Sequence, residues 1–375
     1  MAGGHKPRSG SIAYYPRVRA KNHMSRFRTR PLTSEAKPLE FFGYKAGMTQ
    51  VFGKNSHDKS TTFGHDTMIP ATVIECPPIK VLGARLYQKT TRGIKVLAEA
   101  TIEKPSKHLR KRIVAFKKKG KKNTEEANYS VFADLEKHKG ATVKLVLLAE
   151  TQPSMTSIGK KKADVAEINL GGNVEGQFAY AKEKFGKEIR VFEVFEAGKF
   201  LDAKAVTRGK GFQGVVKRHN VKIQRPKAKH HRVVGAISPW HPATVMWTVP
   251  RPGGMGYHNR TEYNKRILFV GDTPEAINPS NGFHAYGVVK NDYLVIVGSV
   301  PGPSKRPIAL RHPTRPGNQN QKKYSDLKLA STFEKEAAQS STDELAQPRV
   351  QHAASPKKAA EKIAAKAKAK GAEAK

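Results

Sequence analysis

The sequence predicts a mainly β protein, a small barrel or sandwich that carries an α/β insertion and long basic extensions. Short runs rich in Val and Ile recur between residues 39 and 103, separated by turn residues at about 8–12-residue intervals, a spacing typical of barrels and sandwiches. Similar runs return in residues 201–207 and 266–298. Segments too polar for a core lie before, between and after these runs.

The first part of the predicted barrel occupies residues 39–103. Residues 41–52 have the pattern of a strand, a Gly-bearing turn and a second strand. A run over 71–76 follows, and runs over 79–88 and 94–98 complete this part. Partial alternation of apolar and polar residues indicates strands that place one face on a core.

Residues 104–200 are predicted to form an α/β insertion that returns to the barrel. A helix should begin after Asn173, a suitable N-cap, and stop at Gly186. The Lys-rich run at 117–122 is consistent either with a solvated loop or with a nucleic-acid contact. Strands are expected over 143–149, 164–170 and 189–196.

The remaining chain divides into three predicted parts. Residues 201–265 form a barrel loop that carries a basic central finger, and residues 266–300 close the barrel. The pair Asn291-Asp292 suits a two-residue hairpin turn in that closing part. Residues 301–375 are predicted to be a basic strap that leaves the core, followed by a mobile Lys/Ala tail.

The charge balance limits the kind of partner. The 375 residues include 69 Lys and Arg against 31 Asp and Glu, a formal net charge of +38 at pH 7. This excess predicts a polyanion, either nucleic acid or an anionic membrane. A membrane is disfavoured because no apolar run approaches about 18–20 residues and the start lacks a secretory signal. The lone Cys76 leaves no disulfide or thiolate metal cluster, so we expect a cytosolic protein.

The most unbalanced stretch covers residues 203–261. Its 59 residues contain no Asp or Glu, but twelve Lys or Arg and five His. Because buried cations need partners, this stretch predicts an arm that meets an external polyanion. Residues 1–38 have a similar character, with Arg26, Arg28 and Arg30 alternating with Phe and Thr. We expect this arm to be disordered or ordered by its ligand, as a solvated tail or an RNA contact.

The chain has few arrangements suited to catalysis or metal binding. Residues 209–214 fit the dinucleotide pattern G-x-G-x-x-G, but no acidic residue follows about 20 positions later. These glycines are expected to allow a tight turn or close approach to phosphate. His230 and His231 lack the spacing of a metal pair and lie among cations. The sequence therefore predicts no enzyme, no cofactor and no metal site.

The two tryptophans are predicted to have different roles. Trp247 lies in an apparent strand over 244–249, which favours packing in a core. Trp240 lies between Pro239 and His241-Pro242, a stiff context that disfavours burial in a regular element. An aromatic ring held at a rigid, exposed tip can stack on bases.

Five motifs follow one another along the chain: GYKAGMT at 43–49, TVIECPP at 72–78, AVTRGKGFQGV at 205–215, WHPA at 240–243 and GYHNRTE at 256–262. Together they resemble the universal large-subunit ribosomal protein three family in its archaeal and eukaryotic form. The resemblance implies a translation-protein-type six-stranded β-barrel with an inserted α/β part. It also implies binding to large-subunit ribosomal RNA, support of subunit assembly, and a central finger that extends toward the peptidyl transferase centre.

The resemblance places Trp240 at the finger tip and Arg208 and Lys210 at its base. The histidine that some members modify does not align with residues 229–232, so no modification is assigned. Taken together, charge, aromatic content and resemblance predict these rRNA-binding residues: Arg17, Arg19, Lys21, Arg26, Arg28, Arg30, Lys45, Arg208, Lys210, Lys217, Arg218, Lys222, Arg225, Lys227, Lys229, Arg232, Trp240, His241, Arg251, Tyr257, His258 and Arg260.

The predicted function is that of a structural constituent of the large ribosomal subunit in the cytoplasm. Its expected partners are 23S/28S-type rRNA and neighbouring large-subunit proteins, with no membrane and no homo-oligomer. Two alternatives remain open. A chromatin-like DNA-binding protein would accept any duplex and would not need Trp240, whereas an RNA-modifying enzyme would need a cofactor pocket.

Overall fold

Six antiparallel strands form a closed hydrogen-bonded ring in the computed structural model, which describes residues 10–102, 106–113, 132–133, 135–316 and 324–329. The strands are β1 Glu40–Asn55, β2 Asp66–Glu75, β3 Ile79–Thr90, β4 Gly93–Thr101, β5 Lys144–Glu150, β6 Val165–Asn169, β7 Glu188–Ile189, β8 Phe200–Val206, β9 Phe212–Gln213, β10 Gly253–Gly254, β11 Asn259–Gly271, β12 Tyr293–Val297, β13 Pro307–Arg311 and β14 Tyr324–Leu329. The α-helices with fully described bounds are α1 Lys107–Arg110, α2 Val174–Lys184 and α3 Val215–His219, and residues 132–133 and 135–136 are also helical. Single 3-10 turns cover Ile12–Tyr14, Lys139–Ala141, Pro153–Met155, Val191–Glu193 and Pro274–Ala276.

The ring has the order β13-β8-β11-β12-β2-β1 and closes because β1 also pairs with β13. Strand β14 pairs with the second half of β1. Closing a sheet on itself pairs the backbone groups that an open edge would leave exposed. The predicted mainly β fold, with a ring of six strands, is confirmed.

Where they pair with each other, β2 and β12 are apolar on both faces, because each face packs in a different buried cluster. On β2, Ile74 belongs to one cluster and Val73 to the other. Their partners on β12, Leu294 and Val295, divide in the same way. Since alternate residues of a strand point to opposite faces, burial of both faces requires a nearly continuous apolar run.

A second antiparallel sheet, of order β4-β3-β5-β6, shares a buried cluster with the ring, and β7 pairs with β3. Helix α2 contributes Phe178 and Ala181 to the same cluster. The sequence interpretation placed β3 and β4 in the barrel, and this is wrong. The pair Pro77-Pro78 supplies no N–H donors after β2, so the ladder ends there and the chain crosses to the second sheet.

The chain also stays in the core beyond residue 301, contrary to the predicted strap. Strand β13 lies between β8 and β1, and all five of its residues are buried. This strand was not predicted because it ends in Arg311, and an arginine is buried in a core only when it has a partner. Arg311 Nη2 donates to Asp202 Oδ2 at 2.6 Å, and the two side chains are 2% and 0% exposed.

The insertion and the closing part differ from prediction in two places. Of the strand expected over 189–196, only Ile189 pairs, as part of β7, and Val191–Glu193 forms a 3-10 turn. The predicted hairpin at Asn291 is absent from the described residues, since only β12 is a strand there. The Asn291 backbone and carboxamide both donate to the buried Glu75 carboxylate, at 3.1 and 2.7 Å, instead of pairing in a ladder.

Helix α2 begins after Asn173 and is followed by Gly186 with φ +77°, as its boundaries were predicted. The Asn173 side chain makes no capping hydrogen bond. The Lys-rich run at 117–122 and the tail from residue 337 lie outside the described residues.

Replacing Glu40 with glutamine should stabilise the isolated protein at pH 8 but not near pH 4.5. Glu40 is 1% exposed and accepts a hydrogen bond from Asn169 Nδ2 at 2.9 Å, and burial raises its pKa to about 7. The folded state therefore holds a proton that the unfolded state releases between the two pKa values, so stability falls as pH rises through about 4.5–7.

Urea unfolding at both pH values measures this effect, and we expect a gain for Glu40→Gln of about 1–3 kcal/mol at pH 8. Glu175→Gln, at a carboxylate that is 82% exposed, is the control. An equal difference between wild type and Glu40→Gln at the two pH values would contradict the account.

Candidate nucleic-acid interface

The finger, residues 207–258, is a continuation of two ring strands. Strand β8 ends at Val206 and β11 begins at Asn259, directly opposite each other in the antiparallel register. Beyond them, Lys210 N donates to the Met255 carbonyl oxygen at 2.9 Å, and β9 pairs with β10. The ring therefore holds the finger base in place through two paired strands.

Glycine is required where the two strands of the finger base approach each other. Gly256 has φ +76°, and a Cβ added there would lie 2.1 Å from the Arg208 carbonyl oxygen. Gly211 has φ +68°, which suits the tight turn expected within residues 209–214. The segment that follows is a two-residue strand and the five-residue helix α3.

The outer part of the finger makes few internal contacts. Its backbone bonds are local, such as Gln224 N to the His231 carbonyl oxygen at 3.0 Å. Trp240 is 87% exposed, as predicted from its proline neighbours. Such an exposed indole has a large apolar surface free for stacking.

The predicted strand around Trp247 is wrong. Residues 244–249 form bends and a turn, and the Trp247 side chain is 64% exposed. Its ring meets the Tyr15 ring edge-on, with centroids 5.4 Å apart, and Tyr15 also stacks on His219 at 6.3 Å. Trp247 thus contacts the N-terminal segment, residues 10–38, and does not enter a core.

The described N-terminal segment is docked on the ring, which corrects the expectation of a disordered or ligand-ordered arm. Phe27 is 8% exposed and belongs to the main buried cluster. The Arg311 guanidinium lies 4.2 Å from the Phe27 ring centroid and donates to the Thr29 carbonyl oxygen at 2.6 Å. Lys204 Nζ donates to the Arg26 carbonyl oxygen at 2.9 Å.

Docking leaves the cations of this segment in solvent. Ser25 and Phe27 point inward, and Arg26, Arg28 and Arg30 are exposed. The alternation that looked like an Arg-rich tail is therefore a strand-like pattern with a single large apolar anchor. A single Phe is too weak a sequence signal to predict that this segment docks on the ring.

The N-terminal segment also binds the finger base, so that the two form one surface. Ala20 N donates to the Tyr257 carbonyl oxygen at 2.8 Å, and His258 Nδ1 lies 2.7 Å from the Val18 carbonyl oxygen. The Arg260 guanidinium lies 4.4 Å from the Tyr14 ring centroid. We call this combined surface the basic face.

A groove of about 650 Å³ runs along the basic face between the N-terminal segment, Lys204 and residues 258–260. No Asp or Glu lines it among the described residues. The acids that flank the finger in sequence face other cations, since Asp202 pairs with Arg311 and Glu262 with Lys265. The positive charge along the groove is therefore uncompensated by the described carboxylates.

Lys45 and Arg218, two of the predicted rRNA-binding cations, donate hydrogen bonds to carbonyl oxygens of the protein itself, as Arg17 and Arg260 also do. Lys45 Nζ donates to the carbonyl oxygens of Val300 and Gly302 at 2.6 and 3.2 Å, and burial lowers its pKa. Arg218 donates to the carbonyl oxygens of Gly254 and Arg251 at 3.1 and 2.8 Å, which ties the two sides of the finger together. These hydrogen bonds support the scaffold, and a contact of either side chain with rRNA stays a prediction.

The other predicted residues lie on the basic face or along the finger. Those partly exposed are Arg17, Tyr257, His258 and Arg260. Those exposed are Arg19, Lys21, Arg26, Arg28, Arg30, Arg208, Lys210, Lys217, Lys222, Arg225, Lys227, Lys229, Arg232, Trp240, His241 and Arg251.

Sequence reasoning missed two cations of this region, Lys204 on the basic face and the buried Arg306. Lys204 is the partly exposed cation of β8, whose other residues are apolar or buried. Its position in the strand could have indicated that it faces outward. Arg306 lies 5.2 Å from the Tyr257 ring centroid and 3.0 Å from His23 Nδ1, contacts that no local pattern indicates.

The described residues contain no group of three or more His, Cys, Asp or Glu placed to hold a metal ion. None of their helices has the length and apolar character needed to cross a bilayer.

A β-ring scaffold that presents an uncompensated basic face and an acid-free finger defines a nucleic-acid-binding structural protein. A family model for ribosomal protein L3 matches residues 2–340. The chain belongs to this family.

Archaeal relatives are similar over most of their length. A large ribosomal subunit protein uL3 of Methanobrevibacter smithii is 43% identical over 86% of this chain and 95% of its own. The uL3 protein of Methanothermobacter thermautotrophicus is 42% identical over 90% of this chain and 99% of its own. The uL3 protein of Methanococcus vannielii is 45% identical over 83% of this chain and 92% of its own.

Family membership confirms the predicted function class. The protein is a structural constituent of the large ribosomal subunit in the cytoplasm and not an enzyme. The chromatin-like and RNA-modifying alternatives are not favoured.

Proposed function

We propose that the basic face and the finger bind 23S/28S-type rRNA and thereby support assembly of the large subunit. The observation that carries the proposal is the docking of the N-terminal segment on the finger base with its cations outward. The N-terminal segment and the finger base, more than 150 residues apart in sequence, contribute to one surface. No described carboxylate lines the groove on this surface.

Phosphate neutralisation supplies most of the expected affinity. Each Lys or Arg that meets a phosphate releases condensed counterions, so binding weakens steeply as salt increases. Aromatic side chains among the cations offer faces for unpaired bases, and the exposed Trp240 and Tyr14 are placed for this role. The absence of Asp and Glu from residues 203–261 lets the finger pass between RNA helices without local repulsion.

The finger is proposed to extend toward the peptidyl transferase centre with Trp240 at its tip. The exposure of this side chain, at 87%, supports a role that is completed by contact with RNA. A buried apolar residue would instead be expected to support folding.

Sedimentation of a cell lysate tests the proposed function. We expect the protein to co-migrate with large subunits through a moderate salt wash and to be released by RNase. A position at the top of the gradient, or co-migration with DNA that survives RNase, would contradict the proposal. The protein is proposed to act in the large subunit as a single copy beside neighbouring large-subunit proteins, and not as a homo-oligomer.

Replacing Trp240 with alanine should leave assembly intact but impair peptidyl transfer. The side chain makes little contact with the rest of the protein, so its loss should hardly alter folding. Loss of one base-stacking ring costs about 1–3 kcal/mol, which predicts roughly a five- to hundred-fold weaker local contact.

Peptidyl transfer by purified variant subunits measures this effect, alongside the yield of assembled subunits. Phe63→Ala, at a ring that is 53% exposed outside the finger, is the control. Normal activity in both variants would rule out the role assigned to the finger tip.

A further inference from the structure

The second sheet carries a cluster of cations away from the finger, at residues 107–112 and 160–162, which we call the insertion patch. The two segments contain seven Lys and Arg and no Asp or Glu. His108 Nδ1 lies 2.9 Å from the Lys161 carbonyl oxygen, and Arg112 and Lys160 both pair with Asp164. These contacts hold the two segments side by side.

The patch is pre-organised by buried groups beneath it. Leu109 of α1 is fully buried, and Ser106 Oγ accepts a hydrogen bond from Leu109 N at 3.0 Å. The nearby carboxylates are also buried, Asp164 at 3% exposure and Glu150 at 2%. The backbone that carries the lysines is therefore already in place to meet an anion, and pre-organisation of this kind favours binding.

The patch is continuous with the basic face. A groove of about 600 Å³ is lined on one side by Lys21, Ser25 and Arg26 of the N-terminal segment and on the other by Arg112 and Lys160. A polyanion that follows the N-terminal segment would therefore pass directly onto the patch. The carboxylates in this groove, those of Asp164 and Glu167, are paired with Arg112, Lys160 and Arg85.

We infer that the insertion patch is a second rRNA-binding surface, which holds the phosphate backbone of RNA that continues from the N-terminal segment. This inference rests on the proposed function of the basic face. RNA is favoured over a protein partner because the exposed residues of the patch are Lys and Arg, whereas the core of a protein interface is depleted of charge.

Binding of a large-subunit rRNA transcript across about 50–200 mM salt tests the inference. The variant Lys107→Ala/Lys111→Ala/Lys161→Ala/Lys162→Ala should lower the slope of log K against log salt by about 2–3. A control with equal charge loss replaces exposed lysines outside the patch with alanine: Lys59, Lys89, Lys95 and Lys290.

The outcomes separate this inference from the proposed function. A smaller slope for the patch variant than for the control supports the patch, and equal slopes overturn it while the basic face stands. Failure of wild type to bind the transcript would overturn both. Binding of an acidic protein by the patch, with RNA affinity unchanged, would also overturn the inference.

A second measurement applies if the patch variant melts below wild type. The natural Cys76 is fully buried and burial raises the pKa of its thiol, so an iron chelate can be attached selectively to Lys111→Cys. Hydroxyl-radical cleavage of rRNA above the level given by Lys95→Cys supports the inference. Cleavage at the Lys95→Cys level overturns it.

Discussion

Replacing Asp202 with alanine should lower the free energy of unfolding by about 3–5 kcal/mol, because Arg311 would remain buried without its carboxylate. Asp202 Oδ2 accepts from Arg311 Nη2 at 2.6 Å, and Oδ1 accepts from Asn264 N at 3.1 Å. The carboxylate thus joins β8, β11 and β13, three strands of the ring.

The same change should loosen the N-terminal segment, since Arg311 also contacts Phe27 and Thr29. Urea unfolding measures the first effect, and proteolysis within residues 10–38 measures the second. Glu262→Ala is the control, because its partly exposed pair with Lys265 is worth about 0–1 kcal/mol. A loss below about 1 kcal/mol for Asp202→Ala would show that the buried pair does not hold the ring together.

Replacing Arg26, Arg28, Arg208 and Lys210 together with alanine should weaken binding to large-subunit rRNA by about 10²–10³-fold at 100–200 mM salt. The four side chains are exposed on the basic face and none supports the fold through a described ion pair. Removal of four phosphate contacts should also lower the salt slope by about 3.

A filter-binding titration against salt measures both quantities. The variant that lacks Lys59, Lys89, Lys95 and Lys290 loses the same charge from other surfaces, so it controls for long-range attraction. An equal loss of affinity in the two variants would mean that net charge, rather than the basic face, drives binding.

Sequence reasoning was most successful where the physical signal is local. Apolar runs with turn residues at regular intervals predicted most of the ring strands, because a strand buried on both faces needs an apolar residue at nearly every position. The helix after Asn173 followed from its flanking turn residues. The absence of Asp and Glu from residues 203–261 indicated where the finger lies. The Pro residues beside Trp240 correctly indicated that its side chain is exposed.

Prediction failed where long-range contacts decide the structure. Arg311 concealed β13 because its partner, Asp202, is 109 residues away in sequence. Phe27 anchors a segment that composition alone suggested was disordered. The hydrogen bonds that Lys45 and Arg218 donate to carbonyl oxygens of distant segments were also not predicted. In each case the properties of the side chain were clear from the sequence, but the distant residue that it contacts was not.

The insertion patch illustrates the same point at a surface. Residues 107–112 and 160–162 are each short basic stretches that suggest only solvated loops. Asp164 brings them together through ion pairs with Arg112 and Lys160. Only this juxtaposition, and the groove shared with the N-terminal segment, indicates a common ligand.

The central claim is that the finger carries its tip through rRNA toward the peptidyl transferase centre. Hydroxyl-radical cleavage from an iron chelate on Ser238→Cys, two residues before Trp240, tests it most directly in assembled large subunits. We predict cleavage of rRNA at the peptidyl transferase centre and none there from Lys95→Cys. Cleavage confined to other rRNA regions, or equal to the Lys95→Cys background, would contradict the account.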